Sequence, residues 1–197
     1  MAKGYARRPV ADEASYQKKL EITRGYVKPD MAVLEFGCGT GSTAIAHAAY
    51  VNHIQAIDLS ANMLEIARSK AADAGVSNVT FHQASIDAFE APDESFDAIL
   101  GLSILHLLTD RNAAIAKVYR MLKPGGIFVS STVCLGDSMK WLKPIAPTIG
   151  RLFGLVIRVL TSADLLRSLT EAGFTIEQEW QPSPKKAVFI VAKKPAA

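Results

Sequence analysis

Residues 31–36, Met-Ala-Val-Leu-Glu-Phe, form a short apolar run stopped by glycine, the pattern of a buried strand. Residues 41–50 are rich in alanine and small polar side chains and predict a helix. Residues 53–58 predict a second strand. Ser60 is placed to cap a helix in which Met63, Leu64, Ala67 and Ala71 share one face, with Gly75 after it. Residues 79–82 and 96–101 predict strands three and four. A helix from about 110 to 122 carries Ala114, Ile115, Val118 and Leu122 on one side, and Pro124-Gly125-Gly126 then turns into a fifth strand at 127–130. Strands alternating with helices at this spacing predict a parallel sheet covered on both faces. The tail departs from this rhythm. A helix over 162–172 precedes strands at 174–180 and 187–192, whose six-residue link suits an antiparallel hairpin at a sheet edge.

Residues 138–160 interrupt the alternation. Pro144 and Pro147 break any early helix. Beyond them Ile149, Leu152, Phe153, Val156 and Leu160 form one stripe, with Arg151 and Arg158 on another face. The segment has four basic residues and no acid. It is expected to be an added helical piece.

A length of 197 residues suits one domain, 1–197. No apolar run has the length of a membrane span, and the basic N-terminus lacks the apolar stretch of a signal peptide. Cys38 and Cys134 are the only cysteines, too few for a disulfide framework; read as reduced thiols, they suit a cytoplasmic protein. The net charge of +3 hides a split: residues 31–110 hold ten acids and two bases, while both flanks are basic. An acidic middle favours a cationic ligand, although solvated helix faces account for the same pattern.

The sharpest signal is Val33-Leu34-Glu35-Phe36-Gly37-Cys38-Gly39-Thr40-Gly41-Ser42, a strand running through three glycines into a helix. Glycine permits a tight turn and lets a ligand reach the backbone. The N–H groups at the helix start can face a carboxylate or phosphate. A dinucleotide loop reads G-x-G-x-x-G and would need glycine at position 42, which here is Ser42. Asp58 ends the second strand, where a carboxylate can accept two hydrogen bonds from a ribose diol.

With these pieces in place, the chain resembles the class I S-adenosylmethionine-dependent methyltransferases, in particular the small-molecule branch that includes quinone-biosynthesis enzymes. The resemblance lies in VLEFGCGTGSTA (33–44), AIDLSANMLEIAR (56–68), SFDAILGLSILHLL (95–108) and RMLKPGGIF (120–128), in family order and spacing. It implies a Rossmann-like, doubly wound α/β fold with a mainly parallel seven-stranded sheet ordered 3-2-1-4-5-7-6, and S-adenosyl-L-methionine as cofactor. It further implies that Glu35 and the Gly37-Cys38-Gly39 backbone hold the methionine part, that Asp58 takes the ribose, and that Leu59 and Met63 pack on the adenine. The turn at Ser85-Ile86 would meet the adenine edge, and Leu102 and Ser103 would lie near the sulfonium. The family often has an acid where this chain has Ser85; Asp87, two residues on, is the nearest substitute.

Methyl transfer from a sulfonium is an in-line displacement, so the protein must mainly align donor and acceptor and exclude water. No metal is required, and His47, His53, His82 and His106 lack zinc-site spacing. A base is needed only for a protonated acceptor. His106, after the fourth strand, is the candidate base or orienting group; His47 is expected to be structural and Cys134 an ordinary core residue. The stretch after strand four lacks both a Pro-Cys pair and an Asn/Asp-Pro-Pro-Tyr/Phe run, so a small-molecule acceptor is expected rather than a nucleic acid. Residues 1–30 are expected to form a helical cap in which Tyr16 covers the pocket. Residues 138–160 are expected to form the acceptor lid, with Trp141, Phe153 and the basic side chains suited to a lipid-like or anionic acceptor at a membrane surface. Two rival readings share the loop: an NAD-dependent oxidoreductase, and a non-catalytic module that binds the cofactor. Deleting residues 138–160 should leave cofactor binding intact while abolishing transfer of labelled methyl groups into fractionated cell extract. Equal turnover after the deletion would end the lid assignment.

Overall fold

The computed structural model describes residues 12–138, 160–183 and 186–196. Most of the 138–160 segment, including Trp141 and Phe153, lies outside them, as do residues 1–11. The first described element is α1 (Glu13–Arg24), capped by the Asp12 carboxylate, which accepts the N–H of Ser15. Then come β1 (Ala32–Phe36), α2 (Ser42–His47), β2 (His53–Asp58), α3 (Ala61–Asp73) and β3 (Val79–Gln83). They are followed by β4 (Phe96–Leu102), α4 (Arg111–Met121), β5 (Leu122–Thr132), α5 (Ser162–Glu171), β6 (Thr175–Trp180) and β7 (Val188–Lys193). Ser60 caps α3 as expected, accepting the N–H of Met63. Thr161 and Asp164 form a reciprocal capping box on α5.

The seven strands form one sheet in the order β3-β2-β1-β4-β5-β7-β6, as expected from the resemblance. The first five pair in parallel; β7 runs antiparallel to both β5 and β6. Alternate residues of each strand feed two cores. Leu34, Phe36, Ile99 and Phe128 pack under α4 and α5, while Val33, Ile54, Leu100 and Val129 pack under α2 and α3. Strand order reverses between β1 and β4, so connections leave β1 and β4 on opposite sides and open a crevice at their carboxyl ends. Among the described residues no helix is long and apolar enough to cross a membrane.

The opposite edge of the sheet is latched by motif residues. Asp97 accepts the N–H of Ala32 at 2.8 Å and pairs with Lys123 at 2.8 Å, tying the starts of β1, β4 and β5 together. Pro124-Gly125-Gly126, expected as a turn before the strand, is an excursion within β5: Leu122 faces Phe96 and the register resumes at Ile127 opposite Ala98. It is held by β7's continuation, with Gly125 N–H donating to the Lys194 carbonyl and Lys194 N–H to that of Gly126.

Phe36 stacks on Phe128 with centroids 6.2 Å apart, and its ring fills the space above Gly101. A Cβ on Gly101 would stand 2.4 Å from Phe36 Cζ. Gly101→Ala should therefore destabilise the fold by about 1–3 kcal/mol. Urea unfolding would measure it, and adding Phe36→Leu should recover part of the loss.

Candidate functional site

β1 delivers Glu35 to the α2 side of the sheet, where only 3 % of its surface is exposed. Burial among apolar side chains raises its carboxyl pKa from 4.5 to about 8; a hydrogen bond from the Ala44 N–H works against the rise, and nearby Asp58 adds to it. Its Oε2 is buried without a hydrogen-bond partner. An orphaned oxygen of this kind invites a donor from outside the chain.

The turn that follows needs glycine for two different reasons. Gly37, Gly39 and Gly41 all have positive φ, at 66°, 54° and 71°. At Gly37 a Cβ would also strike Ile104 at 2.7 Å, and at Gly41 it would strike Ala67 and Phe81 at 2.9 Å. At Gly39 a Cβ would meet nothing within 4 Å. The backbone of Gly39 is thus open on one side, while its neighbours are packed.

Asp58, at the end of β2, closes the turn from the next strand. Its Oδ2 accepts the Gly39 N–H at 2.8 Å and its Oδ1 accepts the Ser60 N–H at 2.9 Å. Each oxygen keeps a lone pair for a further donor. One amide of the turn and one at the helix start are thus spent on the chain's own acids, Gly39 on Asp58 and Ala44 on Glu35. The site presents carboxylates and suits a cationic ligand better than a pyrophosphate.

The remaining sequence candidates arrange themselves around this centre. Leu59 is 69 % exposed beside Asp58, and Met63 is half-buried one turn into α3. The chain after β3 is tied to the same corner: Ala84 N–H donates to the Asp58 carbonyl and Gln83 Nε2 to that of Leu59. Ser85 follows, its Oγ accepting the Ala88 N–H at 3.1 Å. Ile86 is buried in the core, so only its backbone can meet a ligand, and Asp87 is exposed. Leu102 ends β4 and is half-buried. Ser103 adopts φ 58°, rare for a residue with a Cβ and a local strain of about 1–3 kcal/mol; its N–H donates to the Ser131 carbonyl at 2.7 Å.

His106 is exposed on a single turn, Leu105–Leu107, whose Leu105 is buried in the core, and partial burial lowers its pKa. His47 is buried, with Nδ1 2.9 Å from the Thr43 carbonyl, in the structural place expected. Cys134 lies in the core, its thiol pKa pushed up to about 12 by burial; burial also raises that of Cys38. Neither is a ready thiolate.

α1 contributes more than its sequence suggested. Tyr16 OH lies 3.5 Å from Thr43 Oγ1 at the start of α2, and burial raises its pKa. One turn later Lys19 Nζ donates to Ser131 Oγ at 2.8 Å, at the end of β5. Lys19 was missed by the sequence reading. The available signal was a polar residue on the stripe Tyr16, Lys19, Leu20 and Thr23, at helical spacing.

The raised pKa of Glu35 has a consequence for stability. The folded chain keeps this proton up to about pH 8, while the unfolded chain loses it near 4.5. The Glu35 contribution is therefore fully present at low pH and is lost as pH rises through that window. Denaturant unfolding of the ligand-free protein should show stability falling between about pH 5 and about pH 8, and Glu35→Gln should flatten that part of the profile.

A family profile described as "Methyltransferase domain" matches residues 33–126. A ubiquinone/menaquinone biosynthesis C-methyltransferase, UbiE, of Xanthomonas oryzae is 32% identical over 151 residues, covering 69% of this chain and 58% of that protein. The uncharacterized methyltransferase YcgJ of Bacillus subtilis is 36% identical over 110 residues, covering 56% of this chain and 44% of that protein. The matches thus span about half the length of these curated relatives. The crystal structure of the [4+2]-cyclase SpnF superimposes with a TM-score of 0.75 at 20% identity, covering 91% of this chain and 81% of that one, a likeness of fold alone. Residues 33–126 thus match a methyltransferase domain, and the ordered motifs and the sheet order make the chain similar to the class I S-adenosylmethionine-dependent methyltransferases.

Proposed function

We propose that the chain transfers a methyl group from S-adenosylmethionine to a small-molecule acceptor. The observation that carries this reading is the buried Glu35, with its free Oε2, set beside Asp58 across a glycine turn. The fold does not carry it, because a protein named as a cyclase has the same fold.

The residues present suit the cofactor. A buried carboxyl oxygen lacking a donor matches the ammonium of the methionine part, and the open face at Gly39 matches a ligand lying against the backbone. In this reading Glu35 and the Gly37-Cys38-Gly39 backbone hold the methionine part. The lone pairs left on Asp58 accept the ribose hydroxyls. Leu59 and Met63 cover the adenine, and Ser85 with the Ile86 backbone borders its edge. Ser85 Oγ retains one lone pair and its hydroxyl proton, a weaker seat than a carboxylate. Leu102 and Ser103 border the sulfonium.

When bound, S-adenosylmethionine supplies a methyl group on an already activated sulfur. The chain's own task is then alignment and the exclusion of water. The strained Ser103 and the packing of Ile104 over Gly37 hold the wall after β4 against the cofactor turn. Tyr16, reaching Thr43 from α1, closes the turn from above. His106 is the candidate base or orienting group for an acceptor that arrives protonated, and partial burial lowers its pKa, which favours the neutral ring. The whole chain, 1–197, acts as one domain, with 1–30 as cap and 138–160 as acceptor lid and the point of any membrane contact. The related UbiE, named as a ubiquinone/menaquinone biosynthesis C-methyltransferase, supports an acceptor that is small and lipophilic.

Calorimetry should show binding of S-adenosylmethionine and S-adenosylhomocysteine but not of NADH; the reverse would favour an oxidoreductase. Asp58→Ala should weaken binding about 10- to 100-fold, the loss expected for hydrogen bonds to a charged group. At neutral pH Glu35 is largely protonated, so seating an ammonium beside it should release a proton. The binding enthalpy should then vary with the buffer's heat of ionisation, and Glu35→Gln should remove that variation. Incubation with methyl-labelled donor and fractionated extract would identify the acceptor; binding without any labelled product would favour a non-catalytic module.

A further inference from the structure

α1 crosses the carboxyl ends of the strands. Tyr16 reaches Thr43, just beyond β1, and Lys19 reaches Ser131 near the end of β5. β4 lies between β1 and β5 in the sheet, so the helix spans the end of β4. Ser131 is the register partner of Leu102, and its carbonyl accepts the Ser103 N–H. Lys19 Nζ therefore stands beside the two residues assigned above to the sulfonium.

This ammonium is poorly satisfied. Lysine carries three donors, and Ser131 Oγ is the one partner Lys19 has among the described residues. No carboxylate there lies within ion-pair distance of it. Asp12 and Lys186 are the charged groups whose fields reach it, and they are paired with each other at 3.2 Å. Burial lowers the Lys19 pKa. A half-buried cation held by one hydroxyl bears a desolvation cost that an arriving anion would offset. A lysine needed only to fasten α1 would gain more from a carboxylate partner, or from replacement by an apolar residue.

We propose that Lys19 Nζ, with Ser131 Oγ, is the oxyanion seat of the acceptor pocket, and that the acceptor is an oxygen acid bound in its ionised form, a phenol or enol. This rests on the cofactor reading above. Lys19 is an acceptor-binding residue. It stays protonated, and the acceptor's proton passes to solvent as the anion binds. The pairing favours the electron-rich form of the acceptor at the place where the methyl group is to be received.

The full chain saturated with S-adenosylhomocysteine would be titrated with 4-nitrophenol, whose ionised form is coloured, and with neutral nitrobenzene. Wild-type protein should bind 4-nitrophenol more tightly than nitrobenzene and lower its apparent pKa, seen as phenolate absorbance persisting to lower pH. Lys19→Met should weaken 4-nitrophenol about tenfold or more and abolish the pKa shift, with nitrobenzene unchanged. Lys19→Arg should restore most of the effect, and Ser131→Ala should weaken it less. S-adenosylhomocysteine affinity should be the same in all variants, which also reports that they fold. Equal preference for the two probes in wild type, or an unaltered phenolate shift in Lys19→Met, overturns the oxyanion seat. Failure of wild-type protein to bind S-adenosylhomocysteine overturns the cofactor reading instead. Because the wild-type comparison needs no variant, a Lys19→Met that fails to fold leaves the proposal open to refutation.

Discussion

The bend between β1 and α2 holds its shape because two carboxylates grip its amides from within. Asp58 takes the N–H of Gly39 and Glu35 that of Ala44. Backbone bonds satisfy part of the bend, Gly41 N–H donating to the Cys38 carbonyl and Cys38 N–H to that of Ile57, and the acids take the Gly39 and Ala44 amides. Pairing those amides with acids does two things together. It fixes the turn, and it leaves Glu35 Oε2 without a partner and a lone pair on each Asp58 oxygen. Everything said about the ligand follows from that surplus of acceptors, which suits ammonium and hydroxyl donors and repels pyrophosphate.

Burying Glu35 costs stability, and the fold meets that cost elsewhere. Its neighbours along β1, Val33, Leu34 and Phe36, are almost wholly enclosed. The amino-terminal edge of the sheet is latched by Asp97 and Lys123 and by the β5 excursion gripped by β7. The two ends of the sheet thus divide the work. One end is closed by internal hydrogen bonds and ion pairs. The other keeps an orphaned Glu35 oxygen, a strained Ser103, an exposed Leu59 and a Lys19 ammonium held by one hydroxyl. Such unspent groups collect where a protein is built to meet something else.

Much of this was legible beforehand. The central strands announced themselves because a sheet covered on both faces demands short apolar runs, β1 being stopped by Gly37 and β2 running into the capping Ser60. Asp58 stood out as an acid ending the second strand, while Glu35 was picked out by the family resemblance. The Pro124-Gly125-Gly126 excursion was read as a simple turn, because local composition reports a bend and is silent about pairing with a strand some seventy residues later. Ser85 could be flagged as a departure from the family pattern. Its engagement with the Ala88 N–H is a local contact three residues on, which the sequence analysis did not name.

Residue order by itself determined the alternation of strands and helices, the glycine turn and the acids beside it, because these follow from periodicities of two and 3.6 and from the φ that only glycine adopts freely. Tertiary structure alone decided which amides those acids would claim, that Gly39 would stay open while Gly37 and Gly41 were packed, and that α1 would carry Tyr16 and Lys19 across the end of β4. Those outcomes join residues far apart in the chain, Lys19 and Ser131 being separated by 112 positions. Their contact is set by strand order and helix packing, which no local pattern encodes.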